Sequence, residues 1–161
     1  IQIIGVGSRD VLHPMAEALA KLGTHRALVV HSRDGMDEIS PEAITDAVLV
    51  EGKVLREMEI NPASFGISSR AKDLAGGDAA HNLKLLHELL RARPGAIADT
   101  VALNAAALLW LCSKAPDLHS GFNTAQELLK SGAVAKFFSK WIERARALSD
   151  GPRSTQEGPR G

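Results

Sequence analysis

The segment Arg26-Ala27-Leu28-Val29-Val30-His31 holds a continuous apolar run with no alternation of polar residues. A strand of that pattern is covered on both faces, which places it inside an α/β sheet. A second run, Ile1-Gln2-Ile3-Ile4-Gly5-Val6, precedes it, and between the two Val11, Met15, Ala18, Leu19 and Leu22 recur at helical spacing until Gly23 ends the pattern. Strand, helix, strand makes a βαβ unit, and the right-handed crossover sets its two strands parallel in one sheet. The loop leaving His31 then lies at the carboxyl end of a strand, where open α/β sheets bind ligands. That loop is Ser32-Arg33-Asp34-Gly35-Met36-Asp37-Glu38.

Beyond it, the pattern changes around Glu51-Gly52, with Val48 and Val50 before it and Val54, Met58 and Ile60 after it, which predicts a β-hairpin. Asn61-Pro62 closes that pattern, and the stretch to Gly76-Gly77 reads as loop. Asp78 is placed to cap a helix with an apolar stripe of Leu83, Leu86, Leu89 and Leu90, ending near Arg93-Pro94-Gly95. A helix from Asp99 to Leu111 is apolar nearly all round and is expected to be buried. Two more run from Phe122 to Lys130 and from Ala133 to Leu148, the last presenting Phe137, Phe138 and Trp141 at the spacing of a core or an interface. From Ser149 to Gly161 the composition turns to Gly, Pro, Ser, Gln and charge, the signature of a disordered tail. The expected organisation is one α/β unit over residues 1–148 and a tail over 149–161.

Composition narrows the function classes. The 161 residues are 45% hydrophobic and 24% charged, enough for one domain with its own core. Nineteen Lys and Arg balance nineteen Asp and Glu, so no general attraction to nucleic acid or to an anionic membrane is expected. Apolar runs break well before the roughly 20 residues needed to cross a bilayer. The lone Cys112 has no partner for a disulfide or a thiolate metal clip, in keeping with a cytoplasmic setting. Because the chain opens inside an apolar strand without a methionine, it is expected to be part of a longer protein.

Asp34, Asp37 and Glu38 put three carboxylates within five residues of the ligand-favoured loop. A hard cation such as Mg²⁺ relieves their repulsion while keeping waters and phosphate oxygens in its shell. The alternative is a solvated turn, with Asp34-Gly35 as turn chemistry and Asp37 or Ser40 capping the next segment. His31 stands at the strand end beside the loop, where it orients a carboxylate or satisfies backbone groups. Gly76-Gly77 before Asp78 could offer amides to an anion, but the Asp78 carboxylate occupies that position, which favours a structural turn. Gly5-Val6-Gly7-Ser8 lacks a Walker lysine and a full G-x-G-x-x-G. The six histidines form no H-E-x-x-H, and no serine sits in a G-x-S-x-G elbow.

The string Asp34-Gly35-Met36-Asp37-Glu38-Ile39-Ser40, set after Gln2-Ile3-Ile4-Gly5-Val6 and Ala27-Leu28-Val29-Val30-His31, resembles the second half of the anthranilate phosphoribosyltransferase family. The likeness extends through Pro62 to Gly66, Leu74-Ala75-Gly76-Gly77-Asp78-Ala79 with Asn82, Leu103-Asn104-Ala105-Ala106 and Ser131-Gly132-Ala133. It departs at Ser32, where the family usually has glycine, and at Gly7, where an aromatic is common.

The resemblance implies part of a mixed sheet flanked by helices, in the nucleoside phosphorylase/phosphoribosyltransferase-like catalytic domain, truncated at its N-terminus. It implies transfer of the phosphoribosyl group from phosphoribosyl pyrophosphate to anthranilate in tryptophan biosynthesis, with Mg²⁺ on the diphosphate held by Asp37 and Glu38. The full-length protein is then a cytoplasmic homodimer. The pyrophosphate loop, the K-H-G-N segment and the arginine for anthranilate belong upstream of Ile1, so the piece alone is expected to be inactive. The alternatives are a DNA-binding paralogue of the same fold, or a non-catalytic remnant that meets a partner through the helix Ala133 to Leu148.

Overall fold

Four strands form one mixed sheet in the order β1-β2-β3-β4 in the computed structural model, which describes residues 1–149. β1 (Gln2–Gly5) pairs parallel with β2 (Arg26–Ser32), joined by helix α1 (Arg9–Lys21), as the βαβ reading expects. β2 pairs antiparallel with β3 (Thr45–Glu51), and β3 with β4 (Val54–Ile60) across the predicted hairpin, in the register Glu51↔Val54. Its two-residue turn has Gly52 at φ 60°, a left-handed conformation that suits glycine.

β2 alternates its side chains between two cores, which is why its sequence does not alternate. Leu28 and Val30 point to one face, where they meet Ala102, Leu103, Ala106, Ala107 and Leu111. These come from α3 (Ala96–Leu111), which lies against α4 (Leu118–Lys130) and its Phe122 and Ala125. Ala27 and Val29 point to the opposite face, where Leu12, Ala16 and Leu19 of α1 cover them. Each large aliphatic side chain so buried stabilises the fold by roughly 1.5–3 kcal/mol. The sheet thus lies between two helical layers.

The helix boundaries and faces differ from expectation in physical ways. In α1 the stripe Leu12, Ala16, Leu19 is buried, while Val11 and Leu22 are exposed, so the packed face is turned one residue from the expected one. α3 begins at Ala96 because Gly95, at φ 146°, takes a backbone conformation closed to most side chains and starts the helix three residues early. α3 is also not covered all round, since Val101 and Leu108 are exposed. Asp117 accepts from the Ser120 amide and starts α4 four residues before Phe122. The stretch read as loop contains two 3-10 turns, Pro62–Phe65 and Ala71–Leu74, too short to leave a periodic signal.

Two further helices carry apolar faces that the described residues cover only in part. α2 (Ala79–Leu90), capped by Asp78 as expected, buries none of its residues. α5 (Ala133–Ser149) buries none either, and Phe137 and Trp141 are 71% and 56% exposed. Of the two expected roles for that spacing, core or interface, the core of this chain is excluded for Phe137 and Trp141 among the described residues. Ser149 ends α5 instead of opening the expected tail, and the rest of that tail lies outside the described residues. Among the described residues no helix is long and apolar enough to cross a membrane.

Candidate functional site

Parallel pairing brings the carboxyl ends of β1 and β2 side by side, and the loop from Ser32 to Ser40 folds across both. The Val6 amide donates to the Val30 carbonyl at 3.0 Å, and His31 Nδ1 lies 2.8 Å from the Val6 carbonyl oxygen. With that carbonyl as acceptor, Nδ1 carries the proton, so His31 ties the two strand ends together. Its role in this chain is structural.

The three carboxylates of the loop separate into two roles. Asp34 accepts from the Ser40 hydroxyl at 2.6 Å and from the Met36 amide at 3.3 Å, while the Ser40 oxygen accepts from the amides of Glu42 and Ala43. Burial opposes ionisation of Asp34, but the hydrogen bonds outweigh it and hold the carboxyl below its ordinary value. The turn reading thus applies to Asp34 and Ser40. Asp37 and Glu38 are different: both are exposed, and neither carboxylate takes a hydrogen bond or an ion pair among the described residues.

These two residues line a cleft of about 410 Å³ together with Gly5, Asn104, Ala105 and Leu108. A Cβ on Gly5 would meet the Asp37 carbonyl oxygen at 1.5 Å, so glycine is what lets the loop lie on the end of β1. On the other side Asn104 of α3 accepts from the Ile39 amide at 3.2 Å and donates back to the Ile39 carbonyl at 3.1 Å. Ile39 itself is 1% exposed and belongs to the core under α3. Glu38 and Asp37 therefore emerge from a segment held at both ends.

Two free carboxylates beside an open cleft suit a hard divalent cation that completes its shell with water or ligand oxygens. Among the described residues no group of three or more His, Cys, Asp or Glu could hold a metal ion by itself. Two carboxylates alone do not make a complete donor set. Sequence reasoning missed the parts of Gly5 and Asn104. The signal for Asn104 was available, because one amide interrupts an otherwise aliphatic stretch of helix.

The glycine turn before α2 is closed by its own chain. The Gly77 amide donates to Asn82 Oδ1 at 2.9 Å, Asn82 Nδ2 donates to the Gly77 carbonyl at 3.0 Å, and Asp78 takes the His81 amide. These amides are engaged within the chain. A separate cluster lies behind the loop, where Arg33 donates to Asp46 and pairs with Glu59, and Arg9 approaches Asp46 at 3.1 Å.

A family model described as the glycosyl transferase family, a/b domain, matches residues 1–135. The chain is 42% identical over 150 residues to an anthranilate phosphoribosyltransferase of Rubrobacter xylanophilus, a match covering 92% of this chain and 44% of that protein. It is 39% identical over 138 residues to the anthranilate phosphoribosyltransferase of Clostridium kluyveri, covering 84% of this chain and 41% of that one. The chain thus spans less than half the length of these relatives. The crystal structure of the anthranilate phosphoribosyltransferase from Thermus thermophilus superimposes with a TM-score of 0.77 at 34% identity, over 88% of this chain and 42% of that one. The Saccharomyces cerevisiae enzyme in complex with PRPP and Mg shares the fold, with a TM-score of 0.82 at 22% identity over 91% of this chain and 43% of that one. With the family model covering most of its length, the chain belongs to the glycosyl transferase family of this a/b domain, and the members it resembles are anthranilate phosphoribosyltransferases.

Proposed function

We propose that residues 1–148 are the carboxyl-terminal part of a phosphoribosyltransferase α/β domain, and that the full-length protein transfers the phosphoribosyl group of phosphoribosyl pyrophosphate to anthranilate. The reaction releases pyrophosphate and serves tryptophan biosynthesis. The observation that carries this reading is the pair Asp37 and Glu38, without side-chain partners among the described residues, on a cleft where two parallel strands end. Support comes from the names of the relatives and from the fold shared with a yeast enzyme solved with PRPP and Mg.

In this account Asp37 and Glu38 hold Mg²⁺, which when bound neutralises charge on the diphosphate that departs from the sugar. The chain's own part is placement. Gly5 lets the loop approach β1, the core holds Ile39, and the two carboxylates would be offered to the cation, which would in turn meet the diphosphate oxygens. Contacts to anthranilate and to the rest of the pyrophosphate are assigned to the portion of the protein before Ile1. The full-length protein acts as a cytoplasmic homodimer, and the open faces of α2 and α5 support an assembly larger than this chain.

The test is turnover by the full-length protein, followed as loss of anthranilate with phosphoribosyl pyrophosphate at graded Mg²⁺. The expected result is Mg²⁺-dependent turnover, with kcat/KM lowered at least a hundredfold in Asp37→Ala and in Glu38→Ala. A wild-type protein that turns over nothing but retains DNA in a salt-dependent way would instead be the DNA-binding paralogue. Absence of both would leave the non-catalytic remnant.

A further inference from the structure

From Val101 to Leu109 every residue of α3 except Asn104 is Ala, Leu or Val. Asparagine is a weaker helix former than alanine or leucine, so the amide weakens the helix locally. Two of its three hydrogen bonds leave the helix. Oδ1 accepts from the Ile39 amide at 3.2 Å, and Nδ2 donates to the Ile39 carbonyl at 3.1 Å as well as to the Thr100 carbonyl one turn back at 2.9 Å.

One side chain thereby satisfies both backbone groups of one loop residue, as a neighbouring strand would. The Thr100 bond fixes the amide's own orientation, so the donor and the acceptor facing Ile39 cannot exchange places. The Ile39 side chain, buried at 1% exposure, sets the depth of the loop but leaves its peptide planes free to turn. Asn104 removes that freedom, directly after Asp37 and Glu38, while the Asp37 carbonyl rests on Gly5 from the other side.

We propose that Asn104 is a positioning residue for the carboxylate pair: by clamping both peptide groups of Ile39 to α3 it sets where Asp37 and Glu38 offer their oxygens. The inference rests on the metal-binding role proposed above for that pair. Groups that hydrogen-bond metal ligands are worth about 10–100-fold in metal affinity. Asn104 is expected to act within that range through the backbone next to Glu38, which separates this role from one that only adds stability.

The experiment measures Mn²⁺ binding to the full-length protein at saturating phosphoribosyl pyrophosphate, by the electron paramagnetic resonance signal of free Mn²⁺. Four variants are compared with wild type: Asn104→Ala, Asn104→Asp, Asp37→Ala and Gly121→Ala. Asn104→Asp keeps the side-chain volume but loses the donor, so it gives the answer if Asn104→Ala does not fold. Gly121→Ala disturbs the crossing of α3 with α4 and does not touch the loop.

The expected result is Mn²⁺ affinity about 10–100-fold weaker in the Asn104 variants. The Mg²⁺ requirement of turnover should rise in parallel, with the KM for anthranilate within about twofold of wild type. Gly121→Ala should bind Mn²⁺ as wild type does despite a lower melting temperature. Wild-type Mn²⁺ affinity in the Asn104 variants, or an equal loss in Gly121→Ala, would overturn the positioning role. If Asp37→Ala also binds Mn²⁺ as wild type does, the metal-binding reading fails; if Asp37→Ala loses Mn²⁺ and the Asn104 variants keep it, only the positioning role fails.

Discussion

The backbone of Asp37 crosses the end of β1 at Gly5 so closely that a methyl group on Gly5 would lie 1.5 Å from the Asp37 carbonyl oxygen. The neighbour is backbone, so a substitution at Gly5 displaces the loop instead of a flexible side chain. Gly5→Ala should destabilise the full-length protein by about 1–3 kcal/mol through overpacking. It should also raise the Mg²⁺ concentration for half-maximal activity at least tenfold. Paired urea melts and Mg²⁺ titrations check both outcomes; an unchanged Mg²⁺ requirement would mean that the loop does not carry the cation.

The contact of α4 with α3 at Gly121 makes a different demand. A Cβ on Gly121 would stand 2.8 Å from the Ala106 carbonyl oxygen and 3.1 Å from its Cα, so only glycine lets the helices cross at this distance. Gly121→Ala is expected to cost about 1–3 kcal/mol. The melting temperature should fall while the Mg²⁺ requirement stays at the wild-type value.

Arg26 joins β2 to the end of α3. Its guanidinium donates to the Trp110 and Leu111 carbonyls at 3.1 and 2.9 Å, lies 5.0 Å from the Trp110 ring centroid, and pairs with Glu51 at 3.3 Å. Those carbonyls are among the helix-terminal acceptors that have no partner within the helix. Arg26→Ala should cost about 1.5–3 kcal/mol, the range for hydrogen bonds from a charged donor. Arg26→Lys should recover less than half of it, because an ammonium cannot supply the same planar fork. Urea denaturation of the three proteins measures the difference.

Asp46 contributes to the pH dependence of stability near the acid limit. Hydrogen bonding from Arg33 holds its carboxyl below the ordinary value against the cost of burial, with added attraction from the charges of Arg33, Arg9 and His31. The folded protein thus binds this proton less readily than the unfolded chain. The stability contributed by Asp46 is complete above about pH 4, the usual aspartate range, and is lost as the pH falls through the lowered folded value. Asp46→Asn should be less stable than wild type at pH 7, and the gap should narrow as the pH drops below about 4. A gap that stays constant across urea melts from pH 7 to pH 3 would contradict this.

Much of the frame was legible because its signals are local. The unbroken run from Ala27 to Val30 announced a strand with two covered faces, and β2 indeed divides Leu28 and Val30 from Ala27 and Val29 between two cores. The hairpin at Glu51-Gly52 and the cap at Asp78 rest on turn and cap chemistry that needs no tertiary context. The exposure of α2 and α5 was not legible, since an apolar stripe states that a face needs covering but not which chain covers it. Within the acidic loop the sequence placed Asp34, Asp37 and Glu38 together, and the Ser40 hydroxyl and the Met36 amide separate Asp34 from the others. Gly5 and Asn104 act through contacts with residues distant in sequence; the lone amide marks Asn104 as unusual, but spacing does not reveal its partner Ile39.

The central claim is that Asp37 and Glu38 carry the cation that binds the diphosphate, and calorimetric titration of the full-length protein with phosphoribosyl pyrophosphate tests it most directly. Titrations are run with and without Mg²⁺, in wild type and in an Asp37→Asn, Glu38→Gln double variant that keeps the side-chain volumes. The account predicts that Mg²⁺ tightens binding at least tenfold in wild type and that this increment disappears in the double variant, while Mg²⁺-free affinity does not fall. An increment of wild-type size in the double variant would contradict it and move the cation to other ligands.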